Sequence, residues 1–187
     1  ADAMSKGVTF LLKKNKIDVI SGYGTLKSGR KLEVKDSAGK TQTYEAKNII
    51  IATGARSREL PNLKQDGKKV IGYREAMNLE KQPKSIVVVG SGAIGVEFAY
   101  FYHSIGTKVT IVEFMPNIVP IEDEDVSKQL ARSFKKSGIE IMLESTVESV
   151  DTSGAGCKVK KKKKKGEEIL ECDVVLSAVG ISSNIEN

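Results

Sequence analysis

Apolar residues recur along this chain with two different periods, and the switches between them lay out its elements. Ser85-Ile86-Val87-Val88-Val89 is a nearly unbroken apolar run, the pattern of a strand buried on both faces. A helical stretch follows from Ala93 to about Ile105, then a second run, Lys108-Val109-Thr110-Ile111-Val112, that ends in Glu113. Glu122-Asp123-Glu124-Asp125 puts acids where a helix N-terminus favours them. Val126, Leu130 and Phe134 continue it as the i, i+4, i+8 stripe of a core-facing side, and Gly138 is placed to end it. Residues 139–143 predict a third parallel strand. Residues 147–150 and the segments on either side of Gly166 predict an antiparallel meander, and residues 173–180 a strand returning to the parallel sheet.

The first part of the chain reads differently. Met4, Val8, Leu11 and Leu12 suit a helix, and short β segments follow at residues 17–24, 31–34 and 41–44, separated by turns rich in Gly, Ser and Asp. Asn48-Ile49-Ile50-Ile51-Ala52 predicts another wholly apolar strand, for which the preceding residues supply no βα unit. Pro83, after the polar stretch Leu79-Glu80-Lys81-Gln82, marks the boundary between a segment at 1–82 and a compact nucleotide-binding domain at 83–187. The first segment reads as the tail of a domain whose beginning is missing.

Candidate chemistry lies where the strand at 85–89 meets its helix. Gly90-Ser91-Gly92-Ala93-Ile94-Gly95 has the GxGxxG spacing in the strand–turn–helix context that a dinucleotide fingerprint requires. Gly90 allows the tight turn, Gly92 lets backbone approach a pyrophosphate, and Gly95 lets the helix pack closely on the strand. The helix N-terminus offers N–H groups and a positive dipole end to phosphates. Glu113 ends the second strand about 20 residues later, where an acid accepts hydrogen bonds from the ribose 2′-OH of NAD and repels the 2′-phosphate of NADP. No Arg or Lys follows in Phe114-Met115-Pro116, so NAD is favoured over NADP. The plainer alternatives are an ordinary βαβ unit with a glycine-rich turn and a solvated strand-end acid.

Composition changes this picture little. The chain has 187 residues, of which 40% are hydrophobic, enough for a real core, and no apolar run long enough to span a bilayer. Its first residues, Ala1-Asp2-Ala3-Met4-Ser5-Lys6, lack the basic and apolar regions of a signal peptide and do not begin with methionine, as expected of a fragment or processed chain. The net charge of +6 is concentrated in the run from Lys158 to Lys165. That run has no interleaved aromatics, so it does not read as a nucleic-acid groove but as a solvated hairpin edge, where lysines discourage edge-to-edge pairing. It gives up its apolar alternation after Val159. Cys157 and Cys172, the two cysteines, fit no metal-ligand or CxxC pattern and flank this lysine-rich turn as structural small residues in a reducing cytoplasm. His103, the single histidine, sits on the fingerprint helix as an ordinary helix-face residue. No metal site and no membrane or nucleic-acid partner is expected.

Taken together these motifs resemble the flavoprotein disulfide oxidoreductases (class I pyridine nucleotide-disulfide oxidoreductases), most closely the dihydrolipoamide dehydrogenases. The order that carries the resemblance is Ser21-Gly22-Tyr23-Gly24, Ile51-Ala52-Thr53-Gly54-Ala55, Gly90 to Glu97, Glu113, and Ala178-Val179-Gly180. The fold it implies is α/β: a Rossmann-like three-layer NAD-binding domain with an antiparallel β-meander, preceded by an incomplete FAD-domain segment made of a β-meander plus one parallel strand. The resemblance implies that Gly24, Thr53, Gly54 and Ala55 touch FAD. It implies that Gly90, Ser91, Gly92, Ala93, Ile94, Gly95, Val96, Glu97, Glu113, Val147 and Gly180 line the NAD site, with Ile94 and Glu97 where nicotinamide meets flavin.

The activity it implies for an intact relative is oxidation of dihydrolipoamide through a redox disulfide and FAD, with hydride passed to NAD+. The implied partners are NAD(H), an acyltransferase complex bearing dihydrolipoamide, and a second copy in a homodimer. Sibling readings are another NAD(P)H-dependent disulfide reductase or NADH oxidase of the same class, or a free-standing NAD-binding module. The family's CxxxxC pair, N-terminal GxGxxG, later Gly-Asp motif and catalytic His-Glu pair have no counterpart here. Ile181-Ser182-Ser183-Asn184 stands where the family shows an Arg and a Pro-Asn. The segment alone is therefore expected to be catalytically silent, to lack catalytic residues of its own, and not to retain FAD.

Overall fold

The computed structural model describes residues 2–163 and 166–186; Lys164 and Lys165 of the lysine run, with Ala1 and Asn187, lie outside the described residues. The chain divides into two compact units, one of Ala1–Gly54 with Asn184–Asn187 and one of Ala55–Ser183.

The first unit opens with α1 (Asp2–Lys14), which carries an acid in its first turn and lysines in its last, the charge order a helix dipole favours. None of its residues is buried. A three-stranded antiparallel meander follows, of β1 (Tyr23–Lys27), β2 (Lys31–Lys35) and β3 (Thr41–Glu45). The expected strand at 17–24 is shifted toward the C-terminus, because pairing begins at Tyr23 opposite Lys35. The expected strand at 48–52 does not form. Ile50 is 91% exposed and Ile51 66%, since an apolar strand needs ladder partners and the meander strands pair only with one another.

The second unit is built in three layers. Its elements are β4 (Ala55–Ser57), β5 (Val70–Ile71), α2 (Tyr73–Ala76), β6 (Ser85–Val89), α3 (Ala93–Ser104), β7 (Lys108–Val112), α4 (Glu124–Ser137), β8 (Glu140–Met142), β9 (Thr146–Asp151), β10 (Cys157–Lys163), β11 (Gly166–Cys172), β12 (Val174–Ser177) and β13 (Ile181–Ser183). The central sheet has the order β5-β12-β6-β7-β8 and is parallel throughout. Alternate residues feed two cores. Ile86, Val88, Ile111 and Leu176 pack with Val96, Ala99, Tyr102 and Phe134 of the helices, while Val87, Val89, Val112 and Val175 pack with Val147, Val159, Cys157 and Cys172 of the meander. Burial on both faces is why these strands read as unbroken apolar runs.

Asp123 caps α4 by accepting from the Asp125 N–H, and Gly138 ends the helix at φ +102, a conformation glycine adopts without cost. The stripe on this helix needs one correction. Leu130 and Phe134 face the core, but Val126 is 55% exposed; Ser127 takes the inward position and its hydroxyl donates to the Ile118 carbonyl. A larger difference concerns residues 55–82. They compact with the second unit, because Val70 and Val175 pair in the parallel sheet and Leu63, Val70 and Ile71 are buried in its cores, whereas the sequence puts its boundary at Pro83.

The described part of the lysine run, within β10, is not a hairpin edge. β10 lies between β11 and β9, and three of its lysines, Lys160, Lys161 and Lys162, pair with acids on these neighbours. Lys160 pairs with Glu148 at 3.3 Å and Glu167 at 2.8 Å, and Lys161 with Glu168 at 2.7 Å. The apolar alternation is lost because cross-strand ion pairs hold this part of the meander.

Candidate functional site

The turn after β6 is built so that three glycines do three different jobs. Gly90 sits at φ +97, and a Cβ there would lie 2.5 Å from the Ala178 carbonyl oxygen. Its N–H donates to the Val112 carbonyl at 2.9 Å, so the turn is tied to β7 while it presses against the end of β12. A Cβ on Gly95 would lie 2.1 Å from the Gly90 carbonyl oxygen, so the first turn of α3 closes directly on the strand exit. Gly92 differs. It is the N-cap of α3, with no side-chain cap, and a Cβ there would meet nothing within 4 Å. Its bare backbone faces open space at a helix N-terminus, the arrangement that receives a phosphate.

Glu113 follows β7 and is only 3% exposed. Its Oε2 accepts from the Ser91 backbone N–H at 2.8 Å and from the Ser91 hydroxyl at 2.6 Å, and its Oε1 accepts from the Met115 N–H at 2.9 Å. Its own N–H donates to Met142, and its carbonyl accepts from Ser145. A carboxylate offers about four acceptor positions, so three internal donors leave one, on Oε1. The acid is thereby oriented by the fingerprint turn itself. Ser91, wholly buried, is the bridge. The family resemblance places Ser91 among the residues lining the NAD site, but nothing in the glycine spacing announces its bond to Glu113.

The other expected dinucleotide residues fall around this core. Ala93 and Glu97 are exposed on α3, Ile94 is half-buried and Val96 is buried in the helix-side core. Gly180 is exposed two residues beyond Ala178, and its carbonyl accepts from the Arg58 N–H. Val147 lies two residues past Ser145, but its side chain is buried in the meander-side core and its carbonyl accepts from Asn62 at 2.6 Å. The turn, the acid and the exit of β12 thus meet at the C-terminal ends of β6, β7 and β12, where parallel sheets bind ligands. The cavities of about 360 Å³ beside Ser85 and about 530 Å³ beside Arg56 are lined by none of these residues.

In the first unit, Gly54 lies at φ +74 in a turn held by Asn184. The Thr53 hydroxyl donates to the Asn184 carbonyl, the Asn184 amide donates to the Thr53 carbonyl at 3.0 Å, and the Asn184 N–H donates to Gly54 at 3.0 Å. Sequence reasoning treats residues 181–184 as a departure from the family; the asparagine at its end is the residue that clamps Thr53-Gly54. Gly24 lies in β1, where a Cβ would come within 3.3 Å of Leu32. Ala55, in the second unit, opens β4, and its carbonyl accepts from the Tyr73 hydroxyl at 3.2 Å.

Comparison with known proteins gives a consistent result. A family described as pyridine nucleotide-disulphide oxidoreductase matches residues 1–187. The dihydrolipoyl dehydrogenase of Zymomonas mobilis is 42% identical over 100% of this chain and 40% of its own length. That of Chlorobaculum tepidum is 43% identical over 97% of this chain and 39% of its own. The crystal structure of LpdA from Mycobacterium tuberculosis superposes with a TM-score of 0.85 at 30% identity, over 99% of this chain and 41% of that one. The chain thus spans about two fifths of the length of the relatives it matches.

Proposed function

The chain belongs to the pyridine nucleotide-disulphide oxidoreductase family, and we propose that it is the NAD(H)-binding part of a dihydrolipoyl dehydrogenase. In this reading residues 83–187 carry the NAD-binding motifs and residues 1–82 are chain from the flavin-binding domain, of which residues 55–82 compact with the second unit. The observation that carries it is the paired geometry of Gly92 and Glu113: open backbone at a helix N-terminus, and a carboxylate with one acceptor position left on Oε1.

Both features fit a dinucleotide. The N–H groups at the start of α3 and its dipole bind the pyrophosphate, and Gly92 lets that backbone come close. Glu113 accepts from the ribose 2′-OH and repels a 2′-phosphate. Ser91 keeps the carboxylate aimed and compensates its burial with two charge-assisted bonds. Gly90, Ala93, Ile94, Gly95, Val96, Val147 and Gly180 shape the surroundings, and Ile94 and Glu97 flank the nicotinamide end. Gly24, Thr53, Gly54 and Ala55 contact FAD in the whole protein. When bound, the cofactors supply the hydride chemistry and the protein supplies their alignment.

At the level of the whole protein, the reading is oxidation of dihydrolipoamide with NAD+ as the hydride acceptor. Its partners are an acyltransferase complex carrying dihydrolipoamide and a second copy in a homodimer, and its compartment is the cytoplasm. Among the described residues no helix is long and apolar enough to cross a membrane. Calorimetric titration of this chain with NADH and, separately, NADPH tests the proposal. NADH is expected to bind at least about tenfold more tightly, about 1.4 kcal/mol, with the preference reduced in Glu113→Gln. Equal affinity, or tighter binding of NADPH, refutes it.

A further inference from the structure

The two cysteines are not used by the nucleotide site, and the fold brings them together. Cys157 opens β10, Cys172 closes β11, and they are register partners in the antiparallel ladder. Directly opposed residues of such a ladder have Cα atoms about 4.5–5.5 Å apart, inside the range of about 4.4–6.8 Å that a disulfide spans. Their side chains point to the same face, toward the parallel sheet, where both are buried, at 2% and 6% exposure. The two thiols are close enough to act on each other's ionisation. Two small apolar residues would fill this space as well, so packing alone does not explain a matched pair of thiols.

The surroundings distinguish the two. Cys157 Sγ lies 3.8 Å from the Lys69 carbonyl and 3.7 Å from the Asp173 carbonyl. The Lys69 ammonium donates to the Thr152 carbonyl at 2.7 Å and to the carbonyl of Gly154, a residue that lines the same cavity as both cysteines. Burial raises the Cys157 thiol, and the Lys69 charge opposes that rise, with Asp66 and Asp173 acting the other way. Burial, together with the neighbouring Cys157, pushes Cys172 up to about 12. Both thiols are thus raised, but only Cys157 has a cation opposing the rise, so Cys157 is the sulfur that ionises first and Cys172 the one that follows. A cavity of about 360 Å³ is lined by both cysteines together with Ser85, Gly156 and Asp173, room for a reagent little larger than water.

We propose that Cys157 and Cys172 are a peroxide-reactive dithiol that closes to an intrachain disulfide across β10 and β11. The Cys157 thiolate attacks one oxygen of hydrogen peroxide, the O–O bond breaks, and the departing hydroxide takes the proton released by Cys157 and leaves as water. Cys157 is then a sulfenic acid. The Cys172 sulfur attacks the Cys157 sulfur, the S–O bond breaks, and the second hydroxide leaves as water with the Cys172 proton. Two thiols have given up two electrons and two protons, and one peroxide has become two waters. The bond closes a loop of about 15 residues, which restricts the unfolded chain more than the folded one. This inference is independent of the nucleotide reading.

Because the chain has two cysteines in all, the test is unambiguous. The folded chain is treated with hydrogen peroxide, unreacted thiols are capped with a maleimide, and the product is analysed by intact mass and peptide mapping. The expected product is a monomer that has lost the mass of two hydrogens, takes up no maleimide, joins the Cys157 and Cys172 peptides, unfolds at a higher temperature and reverts with dithiothreitol. Cys172→Ser is expected to stop at a sulfenic acid on Cys157 that dimedone traps, while Cys157→Ser leaves Cys172 as a thiol. The proposal fails if both thiols survive peroxide in the folded wild type, or if the cross-link joins two chains. It fails equally if Cys172 in Cys157→Ser is trapped as readily as Cys157 in Cys172→Ser. The wild-type mass result stands even if a variant folds poorly.

Discussion

Gly92 and Gly95 occupy the same motif and the same helix turn, yet their surroundings assign them opposite sensitivities. A methyl at Gly92 meets no protein atom, so Gly92→Ala is expected to unfold within about 1 kcal/mol of wild type and to bind NADH at least about tenfold more weakly. A methyl at Gly95 runs into the Gly90 carbonyl, and Gly95→Ala is expected to lose about 1–3 kcal/mol of stability, as overpacked sites do. Thermal unfolding and calorimetry on the two variants separate the roles; the reverse ranking would mean that Gly92 is structural. The glycine spacing shows where these residues lie. It is silent on Ser91, because a buried serine bridging to an acid 22 positions later is a tertiary fact with no periodic signature. Asn184 escapes notice for the same reason, since its partners Thr53 and Gly54 lie far back in the chain.

At the scale of elements, apolar periodicity is a reliable guide wherever a strand has partners within the chain. The runs at 85–89, 108–112 and 174–177 are buried on both faces between helices and meander, and their patterns say so in advance. The run at 48–52 has the same composition but no partner strand, and its pattern misleads because composition records what a strand needs and not whether it is present. The lysine run misleads in the opposite way, since lysines occupy a central strand where acids on the neighbouring strands reach them, as at Lys160, Lys161 and Lys162. Lys161 is the sharpest case, with its side chain 6% exposed against Glu168. Glu168 is itself exposed, but removing it leaves the buried Lys161 ammonium without its partner, which costs more than replacing that charge by an apolar residue of similar volume. Glu168→Gln is therefore expected to destabilise the chain by about 1–2 kcal/mol, and Lys161→Met by less. Urea unfolding of both variants checks the order, and a larger loss in Lys161→Met would show that the charge itself is needed.

On the scale of the whole molecule, the chain holds one compact unit with two cores and one small meander unit whose apolar segment at 49–51 is exposed. Limited proteolysis is expected to cut first within residues 46–54 and to leave a resistant product containing residues 55–183; early cleavage inside the parallel sheet would contradict this division. The three-layer order of helix, parallel sheet and meander was legible from the sequence. The division at Gly54 was not, because β5 is two residues long and owes its place to β12, over a hundred residues away. Binding of NAD(H) by the turn at 90–97 and Glu113 is to be read residue by residue from amide chemical-shift mapping of the labelled chain. Adding NADH is expected to move the resonances of Gly90 to Glu97, Glu113 and Gly180 before any others. Shifts confined to the cavities beside Ser85 or Arg56, or no shifts at saturating NADH, would contradict it.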